Sequence, residues 1–92
     1  MALPKTAQSY IAYTEKTVNP GSVGAAETLD VSVTWDKGLP THFIEVKAPS
    51  LVANLGIVGC WCAAAGTVIV RLINPTGTPI NDASQTWQFI IR

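Results

Sequence analysis

Glu27-Thr28-Leu29-Asp30-Val31-Ser32-Val33-Thr34-Trp35 decides the fold class. Leu29, Val31, Val33 and Trp35 occupy every second position, and Asp30, Ser32, Thr34 and Asp36 fill the gaps. A period of two belongs to an extended strand with one face on a core and the other in water. Asp36-Lys37-Gly38-Leu39-Pro40 then turns the chain, and Pro40, which has no N–H to give to a ladder, ends pairing there.

The same pattern recurs on both sides. Residues 41–48 predict a second strand, with Ile44, Val46 and Ala48 on one face and Phe43, Glu45 and Lys47 on the other. Pro49-Ser50 and Asn54 break it. Residues 55–64 read differently: Ile57, Gly59, Trp61 and Ala63 share one face, Val58, Cys60, Cys62 and Ala64 the other, and neither is polar. Such a strand is expected to be covered on both sides. A helix is the rival reading, disfavoured because Gly56, Gly59 and Gly66 would each cost about 1 kcal/mol, and Gly59 inside a strand marks a bulge. Ala65-Gly66 makes a tight hairpin into residues 67–73, where Val68, Val70 and Leu72 alternate with Thr67, Ile69, Arg71 and Ile73. Asn74-Pro75-Thr76-Gly77-Thr78-Pro79 is a dense turn cluster, and residues 85–91 form a last strand with Trp87, Phe89 and Ile91 inward. Toward the N-terminus, residues 9–17 predict a strand containing Tyr10, Ile11 and Tyr13, Asn19-Pro20-Gly21 a turn, and residues 1–8 a loose arm. The sum is all-β: five to six antiparallel strands in a small, jelly-roll-like β-sandwich, divided into an extended N-terminal arm (1–17) and a sandwich domain (18–92).

Composition bounds the function. The chain has 92 residues, 48% apolar and only 13% charged, so a single small domain must leave apolar side chains facing outward or facing another chain. Six Lys and Arg balance six Asp and Glu, with no run of like charge. That excludes the clustered cations of a nucleic-acid partner and those of an anionic membrane partner. The opening MALPKTAQSY has no apolar secretion core, and the longest apolar stretch, residues 55–65, is too short for a bilayer. The chain is expected to be made in a cytoplasm and to stay soluble until it assembles.

Chemistry-bearing residues are sparse. Cys60 and Cys62 would point to the same face of a strand, where a disulfide between them is strained, and read as buried thiols. His42 is the only histidine, so neither a zinc site of four ligands nor a catalytic pair is expected, although a Cys–His nucleophile is conceivable on paper. Glu15, Glu27, Asp30, Asp36, Glu45 and Asp82 are dispersed on wet faces and turns rather than paired across a cleft, and no phosphate-binding glycine loop occurs. These residues predict no enzyme, no cofactor and no metal. Trp35 and Trp87 end apolar faces and are assigned to the core; Trp61, flanked by small residues, is left to a core or a subunit interface.

Two stretches carry a resemblance. Residues 18–28, VNPGSVGAAET, resemble the "VNPGSVAAxTxxEQT" opening of a group of small tailed-bacteriophage virion proteins. Residues 55–76, LGIVGCWCAAAGTVIVRLINPT, are similar to the "GLGIVGARVSAAxTVxVRFxNPT" segment of the same group, with Cys60-Trp61-Cys62 in place of Ala-Arg-Val and, further on, Trp87 in place of a tyrosine. The resemblance covers residues 18–92. It implies a capsid cement or decoration protein: an oligomer, expected to be a homotrimer, on the capsid surface of the virion, bridging subunits of the major capsid protein. In that reading the apolar faces near Val58, Trp61, Ile69 and Ile73 make the subunit interface, and the arm residues Tyr10, Ile11 and Tyr13 touch the capsid by strand addition. Deleting residues 1–16 is then expected to abolish capsid binding and leave the oligomer intact. The alternative is a receptor- or glycan-binding knob of a head or tail fibre, using exposed aromatics; the absence of a shaft repeat in the sequence counts against it.

Overall fold

The computed structural model describes residues 12–92 and is entirely β among them. Eight strands are present among the described residues: β1 (Ala12–Val18), β2 (Gly21–Val23), β3 (Glu27–Thr34), β4 (Ile44–Lys47), β5 (Gly56–Ala64), β6 (Thr67–Asn74), β7 (Ile80–Asp82) and β8 (Gln85–Ile91). They form two three-stranded antiparallel sheets, ordered β1-β8-β4 and β3-β6-β5, and a two-stranded ribbon, β2-β7.

The pairing is nested: β1 with β8, β2 with β7, β3 with β6. The β2-β7 ribbon lies where the chain passes between the two large sheets, outward from β1 to β3 and back from β6 to β8. Both large sheets contribute to one core. Trp87, Phe89, Ile91 and Ile44 come from the first, and Val33, Val68, Val70, Leu72 and Cys62 from the second. Trp35 joins them, its ring tilted against Phe89 at 6.3 Å between centroids, and the Trp87 ring is tilted against Phe89 at 6.5 Å. Strict alternation in β3, β6 and β8 thus feeds the core as the sequence predicts, and Trp35 and Trp87 are both buried.

Four features depart from the sequence reading. First, residues 12–17 do not separate from the domain: β1 pairs with β8 along its whole length, from Ala12↔Ile91 to Val18↔Gln85, so the boundary drawn at 17/18 falls inside a strand. Tyr10 and Ile11 lie outside the described residues. Second, β4 is shorter than residues 41–48, because the His42 N–H donates to Leu39 O and the Leu39 N–H to His42 Nδ1, which holds residues 39–42 in a turn. Third, Gly21, read as part of a turn, begins β2, and β7 lies between the turn cluster and the last strand, in residues to which the sequence assigned no element. Fourth, the register of β5 shifts between Ile57 and Gly59, so Ile57 stands opposite the buried Leu72 whereas Trp61 stands opposite Ile69 on the outer face. The two were expected on one face; the bulge reverses the phase. Among the described residues β6 is the one strand paired with β5, which makes β5 an edge strand whose outer side they leave open.

Candidate functional site

The outer face of β3-β6-β5 is built from the alternate residues that do not enter the core. The register sets Thr28, Ile73 and Gly56 in one row, Asp30, Arg71 and Gly59 in the next, then Ser32, Ile69 and Trp61. Val58 stands at the bulge beside these rows, 57% exposed; Trp61 and Ile73 are each 37% exposed, and Ile69 is half-buried. Three residues expected at a subunit interface, Trp61, Ile69 and Ile73, therefore share one surface, and Val58 lies at its rim.

At the centre of this surface is a charged pair that the sequence reading did not single out. Arg71 forks onto Asp30, Nε to Oδ1 at 2.7 Å and Nη2 to Oδ2 at 3.0 Å, and its guanidinium carbon lies 5.1 Å from the centre of the Trp61 ring. The hydrogen bond from Arg71 holds the Asp30 carboxyl below its ordinary range, and the carboxylate raises Arg71 in turn. An exposed pair of this kind adds little stability. Its consequence is local neutrality: the only charged side chains in these three rows of the face cancel each other, and the guanidinium lies over the Trp61 ring. Arg71 was legible as an outer-face residue from its phase between Ile69 and Ile73. Its partner was not, because the Asp30↔Arg71 register joins residues far apart in sequence.

A second outer face, on β1-β8-β4, carries Tyr13 beside Ile90 and Glu45, with Glu15, Gln88 and Lys47 in the next row. Tyr13 is half-exposed and its hydroxyl donates to Glu15 Oε2; Phe43, 79% exposed, precedes β4 at the same end. Arg92 Nε donates to Glu45 Oε1 at 2.9 Å. A shallow depression of about 240 Å³ lies among Tyr13, Glu45, Lys47, Gln88 and Ile90.

The residues weighed for chemistry are dispersed. His42 closes its own turn through Nδ1. Cys60 and Cys62 stand opposite Val70 and Val68, on the inward phase of β5, and both are free thiols. Burial, with a smaller contribution from Cys62, pushes the Cys60 thiol up to about 11, which keeps it protonated and unreactive at neutral pH. Cys62 Sγ donates to Ala64 O. Asp82 accepts the N–H groups of Val52 and Ala83, tying β7 to the loop before β5. Among the described residues no three His, Cys, Asp or Glu side chains are grouped to hold a metal, and no helix is long and apolar enough to cross a membrane. Comparison with models of known protein families, with curated proteins and with solved structures finds no match.

Proposed function

We propose that this chain is a structural subunit of a tailed-bacteriophage virion, a non-catalytic cement or decoration protein that sits on the outside of the capsid shell as a homo-oligomer. The observation that carries the reading is the neutralised apolar face of β3-β6-β5, with Trp61, Ile69 and Ile73 in adjacent rows around the Asp30–Arg71 pair. A surface that carries apolar side chains and is internally charge-balanced can be covered by another protein without stranding a charge. The likeness of residues 18–28 and 55–76 to small phage virion proteins supplies the biological setting. The nested pairing of β1 with β8, β2 with β7 and β3 with β6 supports a jelly-roll-like sandwich, the architecture in which a chain wraps so that first and last strands meet.

In this reading the oligomer, taken as a trimer, forms through the face bearing Trp61, Ile69, Ile73 and Val58. Residues preceding β1, with Tyr10 and Ile11, reach the major capsid protein, and Tyr13 contributes from the edge strand. The mechanism is geometric: a symmetric oligomer straddles several shell subunits and adds interface area that resists expansion. The test is add-back of the purified chain to shells that lack it. Trp61→Glu is expected to weaken oligomerisation at least about thirtyfold, as for loss of an aromatic anchor, and to lower shell occupancy with it. Full occupancy by a monomeric Trp61→Glu variant would remove this face from the account.

The glycan-binding alternative draws on the other outer face, where exposed Tyr13 and Phe43 stand near Glu45 and Gln88, an aromatic platform with polar neighbours. Selective binding on a glycan array, lost in Tyr13→Ala and Phe43→Ala, would favour it over the cement role.

A further inference from the structure

The four edges of the two large sheets are not equally protected. β4 is four residues long and lies between Pro40 and Pro49. β5 is interrupted by register shifts at Ile57/Gly59 and Cys62/Ala64. Short length, flanking prolines and bulges are the ordinary means of stopping an edge from pairing. β3 has none of them: it contains no proline and no lysine, and it pairs with β6 over eight residues without a shift. Among the described residues its other side carries no strand. There an open cleft of about 340 Å³ separates Val31, Ser32, Val33 and Thr34 from the end of β1. A bare edge of this kind presents alternate N–H and C=O groups that pairing with another strand would satisfy.

We propose that β3 pairs antiparallel with β3 of a second copy about a twofold axis, joining two three-stranded sheets into one continuous sheet of six. The strand's own sequence selects both the partner and the register. A twofold contact maps each residue onto its counterpart reciprocally, and residues that face each other must lie on the same side of the sheet. Centring the pair on Val31 sets Asp30 against Ser32, Leu29 against Val33 and Thr28 against Thr34. Apolar side chains then meet apolar ones on the inner side, where Leu29 and Val31 are only partly buried in the single chain. Threonines meet threonines on the outer side, a favourable cross-strand pair. Asp30 keeps its own Arg71 and faces a hydroxyl. Centring on Asp30 would oppose two carboxylates, which destabilises, and centring on Ser32 shortens the paired segment to residues 30–34. The contact uses the strand edge, not the outer face, so it does not rest on the virion reading and can coexist with a threefold contact through Trp61.

The test is sedimentation of the full chain over a micromolar concentration series, with each variant built on Trp61→Glu so that the edge contact alone is read. Ser32→Lys places an ammonium opposite Asp30 of the second copy, twice by symmetry, and is expected to tighten the dimer about tenfold; Ser32→Asp is expected to loosen it about tenfold. Ser32 is exposed in the single chain, so both variants should keep the parent's far-ultraviolet dichroism. Val31→Cys stands on the axis beside itself, and mild oxidation should give a dimer whose disulfide maps to position 31. Equal dissociation constants for the two Ser32 variants, or a cross-linked product without the 31–31 peptide, would overturn the proposal. A chain that is monomeric throughout, with slowly exchanging β3 amides, would overturn it too and would assign that edge to the chain's own first eleven residues.

Discussion

Asn74 is the polar side chain on which the crossing between the sheets depends. It is fully buried, and its amide is fully used: Nδ2 donates to Val23 O at 3.0 Å and to Thr78 O at 2.8 Å, and Oδ1 accepts from Thr76 N and Thr76 Oγ1. It thereby pins the turn after β6 to β2. Asn74→Ala removes the donor to Val23 O and Thr78 O and the acceptor for the Thr76 N–H, and is expected to cost about 3 kcal/mol in a urea titration. Asn74→Asp should be worse at pH 7 and partly recover at pH 4. Two carbonyl oxygens facing a carboxylate raise its folded pKa, so the folded state gains stability as pH falls. Ala26 shows the opposite opportunity. Its φ of 57° is a left-handed conformation that alanine adopts at a cost, and Ala26→Gly is expected to raise stability by about 1 kcal/mol, read as an increase in Tm of several degrees. In the proposed oligomer, the Asp30–Arg71 pair is expected to act on association more than on folding. Asp30 is depressed in the folded chain, so its contribution is present above the unfolded carboxylate pKa and is lost as pH falls through the folded value, below about pH 4. Because the pair is exposed, unfolding free energy should barely register the change. Oligomerisation should weaken in the same acid window, and in Asp30→Asn at neutral pH, because Arg71 is then left unbalanced on the contact face.

At the scale of elements, β3, β6 and β8 were legible because their inward residues alternate without interruption, so phase alone assigns Val33, Val68, Val70, Leu72, Trp87, Phe89 and Ile91 to the core. β5 was legible as a strand but not in its faces, since each of its two register shifts reverses the phase of the residues that follow it. β2 and β7 are three residues each, too short to show a period, and exist through their pairing with each other. β1 was recognised as a strand and assigned to an arm, because nothing local in residues 12–17 records that β8 lies beside them. That pairing changes what a truncation means. Deleting residues 1–16 removes most of β1, uncovers β8 and is expected to unfold the domain rather than merely detach an arm. Deleting residues 1–11 leaves β1 whole and should preserve the thermal transition, so this is the truncation that tests capsid contact by the residues before β1. β8 is the central strand of its sheet, paired on both sides, and Phe89 in it touches both Trp35 and Trp87. Phe89→Ala is expected to cost about 4 kcal/mol, a large part of the stability of a domain this small.

For the whole molecule, low charge and small size have one structural outcome. Strands of both large sheets bury one core, and among the apolar residues left exposed Trp61 and Ile73 fall on the outside of β3-β6-β5, in rows whose ion pair is already self-compensated. Trp61, Ile69 and Ile73, three of the four residues read from sequence as interface candidates, share the outer phase of β5 and β6, whereas Val58 stands at the bulge. The Asp30–Arg71 pair and the bare β3 edge required the register and the sheet order to be seen. The proposed virion role requires that these surfaces be covered many times over in a symmetric shell. The most direct measurement is the copy number of this chain in purified virions, by quantitative mass spectrometry against the major capsid protein. A shell-wide cement predicts copies on the order of hundreds, in a fixed ratio to the capsid protein, since every equivalent site in the symmetric shell repeats the same contact. A handful of copies, or none, would contradict it.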